Sequence, residues 1–338
     1  MKYFVTGATG FVGGAVTREL RAAGHEVVAL VRDPSRAADL ASAGVTLARG
    51  DVTDKESMRA PMTGVDGVFH LAAWYKIGVR DARAQDINVG GTQHVVELME
   101  ELGVPRGVYT STVAVFGDTG GRLVPETYFR GGPWLSEYDR TKWSAHYDVA
   151  LPAINRGVPL TIVMPGVVYG PGDTSGVRTA FVQYLQGKLP ATPNGTAYCW
   201  GHVEDTARGH LLAMERGRPG EAYNITGPMH SFRGAFELAE RITGIAAPTM
   251  HPSARLLRVA AAIIDIVEHV VPIPSAYTAE GLRVVAGVTY AGSNEKAKRE
   301  LGFDPRPFEA GLRETLAHEM RLLGMDASRL STSAESRG

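Results

Sequence analysis

The strongest constraint on this chain lies in its first thirteen residues. A strand-like run over 2–6 breaks directly into Thr6-Gly7-Ala8-Thr9-Gly10-Phe11-Val12-Gly13. A segment of helical periodicity (Val12, Val16, Leu20) follows and stops at Gly24. The three glycines answer three needs. Gly7 permits a tight turn out of the strand, Gly10 lets backbone approach a pyrophosphate that a Cβ would block, and Gly13 lets the helix pack close to the strand. The helix start, reached through Thr9, Phe11 and Val12, presents free N–H groups and a positive dipole end to phosphates. A bare glycine triplet is a weak signal; the strand before it and the amphipathic helix after it make it specific.

The first half repeats this strand–helix alternation. Strands are predicted over 26–31, 45–48, 65–71, 107–111 and 159–164, and helices over 34–42, 55–60, 84–102 and 136–151. Short connections imply right-handed crossovers and a parallel sheet covered on both faces. The expected fold class is α/β, a doubly wound parallel sheet of the Rossmann type over 1–165. Residues 166–325 are expected to form a smaller substrate lobe partly returning to the sheet, with helices over 232–243, 256–271, 293–301 and 307–323. The Ser-rich end, 326–338, reads as a disordered tail. Residues 256–271 are the longest mostly apolar stretch. They carry Arg258, Asp265, Glu268 and His269, too short and polar a run to cross a bilayer, and predict an amphipathic helix, at a core or interface in preference to a membrane surface.

Charge excludes some partners. With 35 basic and 36 acidic residues, the chain offers no electrostatic reason to bind nucleic acid or an anionic membrane. Its single cysteine, Cys199, rules out an internal disulfide and suits a reducing, cytoplasmic compartment. No secretory signal precedes Tyr3-Phe4-Val5. No metal is expected: His202 and His210 stand eight apart, and nothing like His-Glu-x-x-His occurs.

The end of the second strand speaks to the nucleotide. NAD-binding folds usually place a carboxylate there on the ribose hydroxyls. Here Val31 takes that position, Arg32 follows, and Arg36 is near, a pattern suited to a 2′-phosphate and hence to NADP(H). Asp33 leaves NAD open. Asp51 is placed to accept from the adenine amino group, or to cap a turn.

A second cluster is Tyr138-Asp139-Arg140-Thr141-Lys142. Four-residue spacing sets Tyr138 and Lys142 on one helix face. A neighbouring ammonium favours phenolate, so the tyrosine can exchange a proton with a hydroxyl while hydride moves at the adjacent carbon. Tyr109-Thr110-Ser111-Thr112 brings hydroxyls to the sheet's ligand-binding edge, where the loop Met164 to Gly172 also lies.

Taken with Gly50-Asp51-Val52, His70-Leu71-Ala72-Ala73, Asn88-Val89-Gly90-Gly91-Thr92, Val168-Tyr169-Gly170-Pro171-Gly172 and His202-Val203-Glu204-Asp205, these motifs resemble the extended short-chain dehydrogenases/reductases, in family order from Met1 to about Leu323. Leu30-Val31-Arg32-Asp33-Pro34 and Trp74-Tyr75-Lys76-Ile77-Gly78-Val79 are most similar to the dihydroflavonol-reductase-like branch. The resemblance implies that Thr112 bonds the substrate oxygen, Tyr138 is the general acid in reduction, and Lys142 holds the nicotinamide ribose. It implies that Asn88 orders the site or a proton relay. It further implies that Val52, Leu71, Ala72 and Ala73 line the cofactor, that Pro165 and Val168 sit by the nicotinamide, and that the chain pairs as a homodimer through the helices containing Glu97 and Lys142.

The same machinery serves ketone reduction, sugar epimerisation and sugar dehydration. The departures favour the first. Val113 and Ala114 follow Thr112 where dehydratases carry acids, Met164 stands where sugar-nucleotide enzymes usually have arginine, and Tyr198-Cys199-Trp200-Gly201 replaces an Arg-Asp segment. Apolar surface in place of charge suits a hydrophobic carbonyl compound. Trp74, Tyr75, Tyr128, Phe129 and Trp134 suggest an aromatic pocket, with Trp74, Tyr75, Thr112 and Tyr169 meeting substrate. The alternatives are a nucleotide-sugar epimerase using bound NAD and a non-catalytic NADP(H)-sensing protein.

Overall fold

Every strand of the larger sheet carries its chain in the same direction. The computed structural model describes residues 1–78, 81–268 and 278–331. The strands are β1 Lys2–Thr6, β2 Glu26–Val31, β3 Thr46–Arg49, β4 Gly67–His70, β5 Gly107–Thr110, β6 Leu160–Pro165, β7 Val167–Tyr169, β8 Ala197–His202, β9 Ala222–Ile225, β10 Met229–Ser231 and β11 Thr289–Tyr290. Seven form one parallel sheet in the order β3-β2-β1-β4-β5-β6-β9. This is the doubly wound, Rossmann-like arrangement, and the order reverses between β1 and β4, where such sheets open a crevice at the carboxyl ends of their strands. β1, β2, β4 and β6 are buried on both faces apart from their first residues, which is why they read as continuous apolar runs.

A smaller sheet centres on β8, which pairs antiparallel with β10 and parallel with β11 and β7. The return to the larger sheet is by β9 at its edge, and the helix Val203–Arg216 packs on the first helix, Phe11–Ala22. Sequence periodicity missed that helix and Gly176–Leu185, because both lie in the Gly- and Pro-rich stretch beyond Pro165.

Two helices are not regular. The run expected over 84–102 contains a π-helical turn, Asp86–Gly90, ahead of Gly91–Leu102. The run from Glu137–Ser144 widens into another, Ala145–Ala150, and continues through Pro152 to Asn155. Such wider turns cluster at functional sites. Of the core and interface readings of the helix over 256–271, the core one is corrected. Ala254–Val267 buries only Ala261 fully, because five of its large apolar side chains are exposed; residues 269–271 lie outside the described ones. At the chain end Ser328–Ser331 forms a short helix with Leu330 buried, and the remainder of the expected tail, 332–338, lies outside the description, as does Val79.

Candidate active site

The glycine turn is closed to any side chain. Gly7 has φ +75°, and a Cβ on it would lie 2.6 Å from the Ala72 nitrogen. A Cβ on Gly13 would lie 2.0 Å from the Gly7 carbonyl oxygen, so the packing that Gly13 permits is against the turn itself. Gly10 caps the helix Phe11–Ala22 without any side-chain bond to its first N–H groups. Those donors have no partner within the helix and are free for an anion. The cradle thus fits a dinucleotide diphosphate. Beside it the Thr6 hydroxyl accepts from Ala72 N at 3.1 Å and meets His70 Nδ1 at 2.8 Å, fixing the segment Leu71–Ala73 along the turn. Val52 is buried against Gly91, and Thr9 is exposed at the tip.

At the end of β2 the two arginines and the aspartate separate. Arg32 and Arg36 are exposed. Asp33 Oδ1 accepts from Ser35 N at 3.0 Å and Ser35 Oγ at 2.7 Å. Those bonds hold its carboxyl below the usual range and commit it to capping the turn Pro34–Ala37. Asp51 Oδ1 likewise accepts from Thr53 N and Oγ, at 3.0 and 2.9 Å, so the turn-capping alternative describes that oxygen.

The helix Glu137–Ser144 starts where Ser136 Oγ accepts from Asp139 N at 3.0 Å. The Thr112 side chain lies close enough to the Tyr138 phenol to favour its ionised form. Thr112 Oγ1 accepts from Ala114 N at 3.2 Å, which pins its rotamer. Burial, then Tyr75, outweigh Thr112 and push the Tyr138 phenol well above its ordinary value. Lys142 lies behind, 2% exposed, and its Nζ donates to the Thr110 carbonyl at 2.7 Å and to Tyr109 Oη at 3.1 Å. Its Nζ is turned to the strand end, and burial lowers its pKa to about 7.

Asn88 sits in the π-helical turn and is buried. Its Oδ1 accepts from Trp74 N at 2.7 Å, and its Nδ2 donates to Trp74 O at 3.1 Å and Thr141 Oγ1 at 2.9 Å. Both amide donors are used, so Asn88 ties the loop after β4 to the Tyr138 helix. Ser111, beside Thr112, bonds His146 Nδ1 at 2.8 Å. Burial holds His146 and His70 neutral, with pKa values lowered to about 3.

The expected aromatic pocket divides. Tyr75 meets Tyr138 edge-on, ring centroids 4.8 Å apart. Half of Tyr75 is exposed, yet its hydroxyl is desolvated near Asp173 and Asp139, which pushes it up to about 12. Trp74 is 6% exposed, with its backbone held by Asn88. Phe129 and Trp134 pack on Trp143, and Tyr128 on Phe116, away from Tyr138. Tyr169 is 1% exposed among Trp200, His202 and Phe308, and its hydroxyl donates to Phe308 O at 3.4 Å; it packs the lobe core. Pro165 is buried at the end of β6, and Val168 is half-buried in β7.

Sequence reasoning missed three residues here. Asp139 is 4% exposed and accepts from Tyr290 Oη at 2.8 Å, across 151 positions. Burial raises its pKa to about 7, against the bonds from Tyr290 and Ser136. Tyr198 stacks on Tyr290 at 6.1 Å, and its phenol is pushed up by burial and by Tyr75. Asp139 and Tyr198 lie in segments already singled out, but nothing local gives them or Tyr290 a place at the site, because only tertiary packing brings β8 and β11 to the Tyr138 helix. Elsewhere, His202, Glu204 and Glu314 hold ligand atoms within 4.8 Å of one another, but Arg306 already bonds the two carboxylates at 2.7 and 2.8 Å.

Residues 3–226 match the model of the NAD dependent epimerase/dehydratase family. The chain belongs to that family. A putative dihydroflavonol 4-reductase of Synechocystis is 35% identical over 73% of this chain and 74% of its own length. A UDP-glucose 4-epimerase of Streptomyces lividans is 32% identical over 72% of this chain and 81% of its own. The crystal structure of gox2253 superposes with a TM-score of 0.81 at 31% identity, covering 96% of this chain and 99% of that one. The protein is thus an extended short-chain dehydrogenase/reductase, an NAD(P)-dependent oxidoreductase or epimerase.

Proposed function

We propose that the protein reduces an apolar or aromatic ketone or aldehyde to an alcohol with NADPH. The observation that carries this reading is the buried Tyr138 phenol beside the Thr112 side chain, met edge-on by the Tyr75 ring.

The residues that would hold the cofactor follow from the site. The Gly7–Gly13 turn takes the diphosphate, Arg32 and Arg36 take a 2′-phosphate, Asp51 and Val52 border the adenine, and Leu71 to Ala73, Pro165 and Val168 border the nicotinamide end. Two of the three N–H donors of Lys142 are committed inside the protein, leaving one for a ribose hydroxyl. The commitment of Asp33 to its own turn favours the phosphorylated nucleotide. When bound, reduced nicotinamide supplies the hydride. Thr112 orients the carbonyl oxygen by hydrogen bonding, and Tyr138 gives that oxygen its phenolic proton as the carbon is reduced. Tyr75 closes over Tyr138 and limits water at the reacting carbonyl.

The test is a spectrophotometric screen of NADPH and NADH against aromatic aldehydes, diketones, flavanonols and UDP-sugars. Loss of NADPH absorbance with a carbonyl compound is expected. Conversion of a UDP-sugar with no net absorbance change would identify an epimerase instead. Binding of NADP(H) with no turnover of any compound would leave a sensing protein.

A further inference from the structure

The helix Ala254–Val267 is amphipathic in the unusual sense: its large apolar side chains face outward. Leu256, Val259, Ile263, Ile266 and Val267 are 40–75% exposed, five of the twelve large apolar side chains exposed among the described residues. At a hundred degrees per residue they fall on one stripe roughly 100° wide, opposite Ala261. The acids are turned inward: Asp265 pairs with Arg283 at 2.9 Å, and Glu268 accepts from Ala279 N at 2.9 Å. Arg255 is exposed at the edge of the stripe, and Arg258 is exposed about 80° beyond that edge. Scattered apolar residues need no explanation, but a continuous stripe does.

We propose that this helix docks in the surface of an anionic membrane, with its apolar stripe at the headgroup–acyl boundary and Arg255 on a lipid phosphate. Fourteen residues make about 21 Å of helix, short of the ~30 Å hydrocarbon core, so the helix lies on a bilayer rather than across it. A second copy is the poorer occupant. A face about 21 by 10 Å falls well below the ~800 Å² that each partner of a stable dimer contributes. The chain as a whole carries no basic excess, but the exposed ionic groups of this helix are both cationic, and that local charge favours the membrane.

The docked helix would communicate with the site. Arg283 and Ala279 join it to the helix Ala279–Val284, whose Glu280 accepts from Gly78 N at 3.1 Å, three residues from Tyr75. An apolar substrate could then reach Tyr138 from the lipid phase; this last step alone rests on the reductase reading.

The test is cosedimentation of the full chain with vesicles of phosphatidylcholine, alone or mixed with phosphatidylglycerol. Binding to the mixed vesicles is expected, weakening as salt rises. The double variant Ile263→Ser/Ile266→Ser should lose at least tenfold in partitioning. Arg255→Gln should lose about fivefold. NADPH binding and thermal midpoints should stay at parent values in both. A chain that remains in the supernatant with both vesicle types overturns the proposal. So does a serine double variant that turns a dimer into a monomer in analytical ultracentrifugation without any change in lipid binding.

Discussion

Two walls meet at Tyr138, and different forces hold them. The nucleotide wall is backbone against backbone. Gly7 and Gly13 leave no room for a Cβ, Thr6 fixes Ala72, and Lys142 bonds a carbonyl at the end of β5. The substrate wall is side chain against side chain across long stretches of sequence: Tyr290 on Asp139, Tyr75 on Tyr138, Glu280 on Gly78. The first cannot vary without breaking the turn. The second can exchange partners pair by pair while the sheet stays intact, which is how one family covers several substrates.

The largest effect belongs where the walls join. Tyr138→Phe should lower kcat about a thousandfold while NADPH affinity, followed by fluorescence titration, changes less than twofold. Normal turnover by that variant would dismiss Tyr138 as the proton donor.

On the substrate wall, Asp139 gives a pH signature. Its folded pKa of about 7 exceeds its ordinary 3.8, so from about pH 4 to pH 7 the folded state keeps a proton that the unfolded state releases. Its contribution is full at pH 4 and is lost as pH rises to 7, a change of up to about 4 kcal/mol. Buried His70 and His146 slope the opposite way in this window, and Lys142 acts only above pH 7. The informative quantity is the difference between Asp139→Asn and the parent in urea unfolding. It should favour the variant increasingly from pH 4 to 7, and a difference constant with pH would mean that Asp139 is ionised throughout.

Smaller effects separate the walls further. Arg32→Ala should raise the KM for NADPH roughly tenfold, about the weight of one charge-assisted contact, and leave that for NADH within twofold. Equal losses for both nucleotides would remove the 2′-phosphate assignment. Tyr290→Phe should cost about 1 kcal/mol in thermal stability and shift KM for the carbonyl substrate rather than for NADPH. A change confined to the nucleotide KM would place Tyr290 on the wrong wall.

Much of the nucleotide wall was legible in the sequence because its determinants are local. A glycine needed for positive φ, a hydroxyl at a strand end, and Tyr138 and Lys142 one helical turn apart are short-range facts. The seven-stranded parallel sheet followed from strand–helix alternation for the same reason. Where the local pattern fell short, the cause was direction. Spacing sets Lys142 one turn from Tyr138 but does not say that its Nζ bonds Tyr109 and Thr110. Apolar periodicity over 256–271 reports that a stripe exists and not whether it faces the core.

The amino-acid order by itself determined the winding of the sheet, the glycine cradle and the pairing of Tyr138 and Lys142 on one helix, since each depends on residues within a few positions of one another. Tertiary structure alone decided which aromatics face Tyr138, which carboxylate is buried beside it, and which helix turns its apolar side to solvent. Those outcomes depend on how β8, β11 and the helices around them settle against the sheet, and no spacing along the chain encodes a contact made across 151 positions.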